Sequence, residues 1–149
     1  MRLSLYQPDQ AGNVGAILRT AACLGVPVDI ILPCGFPWSD RALKRAGMDY
    51  AQRAAVKAHS DWDAFVAASA GRLILLTTKG GVRLHEAQFA ASDTLLLGSE
   101  SKGVPDEVHA RANMRVRIAQ AAGTRSLNIA VAAGIGMAEA LRQTSGWPE

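Results

Sequence analysis

Aromatic residues and cysteines are scarce in this sequence of 149 residues. Aromatics make up 5% of it and alanine is abundant, so we expect helices that pack closely together. The two cysteines, Cys23 and Cys34, are too few for a disulfide framework, and we expect both to be reduced thiols. Met1 leads straight into a strand-like run where a secretory signal would stand, so we expect a cytoplasmic protein.

Long apolar runs are also missing. The longest, residues 129–138, is far shorter than the ~20 residues that a helix needs to cross a bilayer, so we expect no membrane contact. The 49% of apolar residues fits a globular protein, and the length suits one domain over residues 1–149. A net charge of +3 at pH 7 is compatible with a nucleic-acid partner but does not require one.

The usual phosphate-binding motifs are absent. The spacing Gly98-x4-Gly103 resembles a P-loop, but Val104-Pro105 stands where Lys-Ser/Thr would reach the phosphates and magnesium. The first βα turn offers Gly12-x-x-Gly15 in place of G-x-G-x-x-G, and no acidic residue ends the second strand to bind a ribose. These absences weaken the case for a generic nucleotide-binding protein.

Metal and hydrolase motifs are missing as well. His59, His85 and His109 lie far apart, with no cysteine or histidine at metal-ligand spacing, so we expect surface histidines and no bound metal. The G-x-S-x-G nucleophile elbow is also absent.

Apolar strands alternate with helices along the chain. The strand Arg2–Tyr6 precedes a helix that we expect Asn13 to cap and Gly25 to end, and residues 28–32 form the next strand. Such a βαβ unit predicts a parallel sheet. Asp40 begins a helix that Gly47 ends. Further strands are predicted at residues 54–58, 73–77, 94–97 and 114–118, and further helices begin at Asp61, Pro105 and Leu127. We therefore predict an α/β domain with helices on both faces of the sheet.

The final predicted helix, residues 127–142, is apolar on every side, and such a helix must be buried on every side. Its interior glycines, Gly134 and Gly136, would each cost about 1 kcal/mol relative to alanine, which indicates a close backbone approach. We expect a homodimer interface here. Packing under the sheet is the alternative.

Three polar segments remain as candidates for function. Asn13-x-Gly15-x-x-x-Arg19 places an amide and a guanidinium on the first helix, although Arg19 could form a surface salt bridge. Gly98-x-Glu100-x-x-Gly103 follows a strand, where ligands bind in open α/β sheets, although it could be an ordinary loop. Residues 126–128 could simply cap the last helix.

Together, residues 13–19, 98–105 and 125–128 resemble motifs one, two and three of the SPOUT-class RNA 2'-O-ribose methyltransferases. Residues 3–8, 35–38, 45–50 and 76–80 are similar to the minimal, single-domain TrmL branch of that class, which methylates the wobble ribose of certain tRNAs. The resemblance implies a C-terminal trefoil knot, a homodimer, S-adenosylmethionine as the methyl donor and the anticodon loop of tRNA as the substrate.

The resemblance also implies the roles of single residues. Arg19 would stabilise the forming alkoxide or act through an RNA phosphate, because a guanidinium is a poor base. Asn13 and Asn128 would orient Arg19 and the ribose, Glu100 would fix its loop, and Ser126 would bond near the reacting groups. The residues expected to hold the cofactor are Leu76, Thr77, Thr78, Gly98, Ser99, Glu100, Gly103, Ile118, Ala119, Ser126 and Leu127.

Basic side chains are the candidates for contacts with RNA phosphates, each adding salt-dependent affinity. They are Arg41, Lys44, Arg45, Lys79 and Arg125. A basic helix face that is merely solvated is the alternative for the first three.

Other functions stay open at this point. The same chemistry could act on another tRNA position or on ribosomal RNA, although larger relatives that do so often carry an extra RNA-binding domain. A catalytically idle RNA-binding dimer could keep the fold, but it would have no use for Arg19, Glu100, Ser126 and Asn128 together.

Overall fold

Seven parallel strands form one sheet in the computed structural model, which describes residues 1–45 and 54–149. Their order across the sheet is β3-β2-β1-β6-β4-β7-β5. All neighbouring strands run parallel, as the βαβ pattern predicted. The strands are β1 (Arg2–Tyr6), β2 (Val28–Ile31), β3 (Val56–His59), β4 (Leu73–Leu76), β5 (Val82–Arg83), β6 (Thr94–Leu97) and β7 (Met114–Arg117).

Five α-helices lie in this described part of the chain, four between strands and the fifth after β7. They are α1 (Ala11–Cys23), α2 (Asp40–Arg45), α3 (Trp62–Ala68), α4 (Asp106–Arg111) and α5 (Ile129–Thr144). The predicted cap of α3 is confirmed, because the Asp61 carboxylate accepts a hydrogen bond of 2.8 Å from the backbone N–H of Ala64. Gly47, the predicted end of α2, lies outside the described residues.

The helices cover both faces of the sheet, as predicted. Leu3 and Leu5 of β1 belong to the core that holds Ile17 of α1 and Met137 of α5. The alternate positions of the central strands belong to a second core with Phe65 of α3 and Val108 of α4. Successive strand residues point to opposite faces, so strands buried on both faces must be apolar throughout.

The parallel arrangement brings four loops to one edge of the sheet. β1, β6, β4 and β7 are neighbours, and their carboxyl ends all meet there. The loops that follow them are residues 7–10, 98–105, 77–81 and 118–128. Two of the three polar segments lie in these loops, and the third, residues 13–19, lies in α1, which directly follows the 7–10 loop.

The predicted N-cap of α1 is wrong. The helix begins at Ala11, and Gln10 occupies the cap position without a side-chain bond. The backbone becomes helical two residues before Asn13, so the Asn13 side chain is available for contacts outside its own helix.

α5 is buried on one side only within a single chain, and burial of its other side in a homodimer stays a prediction. It begins at Ile129, because the Asn128 side-chain oxygen accepts a 2.8 Å hydrogen bond from the N–H of Ala130. Gly136 faces the sheet, where a Cβ would lie 2.7 Å from Leu95 Cδ2, so packing under the sheet accounts for this glycine. Val131 and Ile135, on the opposite side, are 51% and 39% exposed.

We predicted a surface position for His59, but this residue is buried. It is 6% exposed, and its Nε2 lies 2.7 Å from Oδ1 of Asp29, which is 4% exposed. β3 is an edge strand, but α3 covers it and places the Phe65 ring 5.4 Å from the imidazole. The other Asp29 oxygen accepts a hydrogen bond of 2.8 Å from Arg2 Nε, so one carboxylate joins β1, β2 and β3.

Both cysteines are free thiols, as expected. Cys23 is exposed and Cys34 is partly buried. Within residues 1–45 and 54–149, none of the helices combines the length and the apolar character needed to cross a membrane.

We expect Asp29→Ala to lower the free energy of unfolding by about 3 kcal/mol, because removal of the buried carboxylate leaves His59 and Arg2 without their partner. Urea unfolding followed by circular dichroism measures this change. Asp63→Ala removes an exposed carboxylate and should change stability by less than about 0.5 kcal/mol. Equal stability of the two variants would contradict a structural role for the Asp29 network.

Candidate active site

A cleft of about 240 Å³ opens where β4, β6 and β7 end. Every residue predicted to hold the cofactor lines it except Ala119. Its walls are Leu75, Leu76, Thr77, Thr78, Leu97, Gly98, Ser99, Glu100, Gly103, Val104, Ile118, Gln120, Ser126, Leu127, Ile129 and Ala132. The loops after β4, β6 and β7 therefore form one site, close in size to small-ligand pockets of about 300–1,000 Å³.

Ala119 lines a different cavity. It faces a larger apolar groove of about 650 Å³, together with Ile135, Ala138 and Trp147. Ile118 lines both cavities and separates them. The contact of Ala119 with the cofactor therefore stays a prediction, and the cleft lining gives it no support.

The 98–103 loop closes on itself. Ser99 and Gly103 exchange backbone hydrogen bonds of 3.0 and 2.9 Å, and Gly103 has a positive φ of 65°. A Cβ on Gly98 would lie 2.6 Å from the carbonyl carbon of Gly103. The absence of a side chain at Gly98 therefore lets the two ends of the loop lie close together.

Three predicted catalytic residues form a continuous chain of hydrogen bonds. Asn13 Nδ2 donates to Glu100 Oε1 at 3.4 Å, and Asn128 Nδ2 donates to Asn13 Oδ1 at 3.1 Å. An ionised carboxylate can only accept, so Asn13 must turn its NH₂ towards Glu100 and its oxygen towards Asn128. The Asn128 oxygen in turn caps α5. Each amide therefore has one allowed orientation.

Arg19 lies on the same helix as Asn13. It is exposed on α1 and does not line the cleft of its own chain. It follows Asn13 by six residues, about 9 Å along the helix at ~1.5 Å per residue. Ser126, by contrast, lies in the cleft wall.

The predicted RNA-contacting residues fall into two groups, all of them exposed. Lys79 and Arg125 immediately follow and precede the cleft residues Thr78 and Ser126, so they flank its mouth. Arg41, Lys44 and Arg45 lie on α2, which contributes nothing to the cleft lining.

Gln120 is a cleft residue that the sequence interpretation missed. Its Nε2 donates to the Arg125 carbonyl at 2.6 Å and to Thr124 Oγ1 at 3.3 Å, which braces the loop that carries Ser126. Its position just after the end of β7, where ligands bind in parallel sheets, could have identified it from the sequence. Ile129 and Ala132 were missed because the packing of α5 decides which of its residues face the cleft.

The cleft is suited to binding and orienting a ligand with apolar and polar parts. Leu76, Ile118 and Leu127 supply apolar surface, and the strand ends supply backbone groups. Burial raises the pKa of the nearby Cys34 thiol to about 11, with Glu100 adding to the effect, so this thiol stays protonated. Among the described residues, none of the acidic, histidine and cysteine side chains group in a way that could hold a metal.

Comparisons with known proteins agree on one family. The model of the SpoU rRNA methylase family matches residues 1–138. A tRNA (cytidine(34)-2'-O)-methyltransferase from Ancylobacter novellus is 45% identical over 150 residues, covering 99% of this chain and 95% of that enzyme.

Solved structures give the same result. One described as "Structural insights into the 2-OH methylation of C/U34 on tRNA" has a TM-score of 0.89 and 42% identity, covering 97% of this chain and 96% of that one. An AdoMet-bound rRNA methyltransferase from Sinorhizobium meliloti has a TM-score of 0.82 and 27% identity, covering 95% of this chain and 55% of that one.

We expect Gly98→Ala to lower the free energy of unfolding by about 1–3 kcal/mol, because the added methyl group meets the Gly103 backbone and not a flexible side chain. The matched control is Gly81→Ala, whose Cβ would meet nothing within 4 Å. Thermal and urea unfolding compare the two variants. If Gly98→Ala were as stable as Gly81→Ala, the tight closure of the loop would be refuted.

Proposed function

The chain belongs to the SpoU rRNA methylase family, and from this we propose that it methylates the 2'-hydroxyl of nucleotide 34 in tRNA. The methyl donor is S-adenosylmethionine. The observation that carries the proposal is the single cleft formed by the loops after β4, β6 and β7, beside the Glu100–Asn13–Asn128 chain. The C34 relative from Ancylobacter novellus and the C/U34 structure both match this chain almost from end to end.

The residues of the cleft fit the methyl donor. Leu76, Ile118 and Leu127 would contact its apolar parts, and the strand-end backbone groups would bind its polar edges. S-adenosylmethionine carries no phosphate, so it does not need the Lys-Ser/Thr pair of a P-loop, whose place Val104-Pro105 takes. When bound, this cofactor supplies a methyl group on a positively charged sulfonium.

The reaction requires a ribose hydroxyl that is deprotonated and aligned with the methyl group, so positioning contributes much of the rate. We propose that Arg19 stabilises the forming alkoxide, either directly or through an RNA phosphate that takes the proton. Asn13 and Asn128 would orient the ribose, and Ser126 would bond near it. Glu100 would hold the 98–103 loop and fix the Asn13 amide.

Arg19 is proposed to act on the cleft of a second copy of the chain. It is exposed on α1, which packs beside α5 on the same face of the sheet. The exposed Val131 and Ile135 side chains of α5 form an apolar stripe that a homodimer would cover. Such a dimer would bury the apolar side of α5 that a single chain leaves exposed. It would also bring a guanidinium to the cleft, whose lining contains no arginine among the residues that the structure describes.

Three finer points are also proposals. A trefoil knot is supported by the family and by the crossed strand order, in which β6 lies between β1 and β4 and β7 lies between β4 and β5. A cytoplasmic location is supported by free thiols and a tRNA substrate. Contacts with RNA phosphates by Lys79 and Arg125 are supported by their exposure beside the cleft, whereas those by Arg41, Lys44 and Arg45 rest on charge alone.

The direct test is to incubate the purified protein with labelled S-adenosylmethionine and bulk tRNA from a strain that lacks this enzyme. Mapping the label by nuclease digestion and mass spectrometry should find 2'-O-methylation at nucleotide 34. Label at another tRNA position or only in ribosomal RNA would replace the proposed substrate, and no transfer to any RNA would favour the idle RNA-binding dimer.

In the same assay we expect Arg19→Ala to lower kcat by about 10²–10³-fold, because the developing negative charge loses its stabilising partner. Calorimetry should show donor affinity close to that of the wild type. Arg111→Ala, which removes an exposed arginine from α4, is the control and should leave turnover unchanged. Retained turnover in Arg19→Ala would remove this residue from the mechanism.

We expect Val131→Glu to convert the homodimer to a monomer, because a carboxylate without a partner is costly to bury in an apolar interface. Light scattering after size exclusion measures the mass. Ala67→Glu places the same charge on α3, on the other face of the sheet, and should leave the mass unchanged. A wild-type protein that is monomeric at micromolar concentration would contradict the proposed assembly.

A further inference from the structure

Asp9 and the 98–103 loop bind each other through reciprocal hydrogen bonds. The Asp9 backbone N–H donates to Glu100 Oε2 at 2.7 Å. In return, Asp9 Oδ2 accepts from the Ser101 backbone N–H at 2.9 Å and from the Ser101 hydroxyl at 2.6 Å. Each segment thus supplies a carboxylate for an amide of the other, across 92 residues of sequence.

The backbone of the β1–α1 loop is arranged for this contact. Gln7, between β1 and Asp9, has a φ of 42°, a left-handed conformation that is unfavourable for a residue with a side chain. The loop starts from β1, which pairs directly with β6, and the 98–103 loop starts from β6. Two loops that leave neighbouring parallel strands are therefore joined just beyond the edge of the sheet.

The loop that Asp9 holds carries four cleft residues, Gly98, Ser99, Glu100 and Gly103. Asn13 holds one oxygen of Glu100, and the Asp9 N–H holds the other. The backbone of Ser101 is held by the Asp9 carboxylate. The position of this part of the cleft wall thus depends on a residue that lies outside the cleft.

We propose that Asp9 is a positioning residue that holds the 98–103 loop in the conformation that binds the methyl donor. This inference rests on the proposed function of the cleft. The hydrogen bonds from Ser101 lower the pKa of the Asp9 carboxyl, so it stays ionised and accepts both bonds at neutral pH.

If Asp9 only stabilised the fold, its loss would lower global stability at least as much as donor affinity. Asp9, Ser101 and Lys102 lie outside both apolar cores, and Ser101 and Lys102 are exposed. Loss of the Asp9 carboxylate should therefore release the loop and leave the sheet intact. Donor affinity should fall more than global stability does.

The test is calorimetric titration of the full-length protein with S-adenosylmethionine and its demethylated product. We expect Asp9→Ala to weaken donor binding at least about 10-fold, since it loses two hydrogen bonds to a charged group. The KM for tRNA should stay close to the wild-type value. Asp9→Asn should restore most of the affinity, because its amide oxygen can still accept from Ser101.

Two further variants complete the experiment. Asp63→Ala, an exposed carboxylate on α3, should bind the donor like the wild type. Ser101→Ala removes the hydroxyl bond at an exposed residue, and should weaken donor binding about 3-fold even if Asp9→Ala does not fold.

The possible outcomes separate this inference from the function on which it rests. Normal donor affinity in Asp9→Ala, or in Ser101→Ala where Asp9→Ala is unfolded, overturns the role of Asp9 and leaves the methyltransferase intact. Weaker binding in Asp9→Ala without recovery in Asp9→Asn also overturns it, because the accepting oxygen would not be the cause. A wild type that binds no donor refutes the proposed function, and the inference with it.

Discussion

The carboxylate of Glu100 is the contact on which the geometry of the site depends. It accepts hydrogen bonds from Asn13 on α1 and from the backbone of Asp9, so three parts of the chain meet at one charge. Because a carboxylate only accepts, its position sets the orientation of Asn13, which sets that of Asn128 at the start of α5. A single charged group thereby orders a cleft wall and two helix beginnings.

The sequence predicted the parts of the fold that depend on repeated, local signals. Strands such as Thr94–Leu97 are continuous apolar runs, and their alternation with helices is sufficient to predict a parallel sheet. The carboxyl edge then follows from topology, whereas the individual cleft residues came from the resemblance to the SPOUT-class methyltransferases. β5 was missed because its two residues, Val82 and Arg83, are too short to show a period.

The errors share a different cause, which is tertiary packing. His59 looked like a surface residue because no local pattern shows that α3 covers an edge strand. Asn13 has the chemistry of a helix cap, but its partners Glu100 and Asn128 are 87 and 115 residues away. The sequence also does not show that Ile118 lines both cavities whereas Ala119 lines only the larger groove, because the path of the backbone decides this.

Within a single chain, the proposed donor-binding cleft and the proposed catalytic arginine lie in different places. The cleft that would hold the donor is built entirely from one chain, whereas Arg19 lies on an outer helix beside the uncovered stripe of α5. If a second copy covers that stripe, donor binding needs only a folded monomer, and methyl transfer needs the assembled pair. The apolar surface of α5 would then contribute to catalysis as well as to stability, because burying it brings the guanidinium to the ribose.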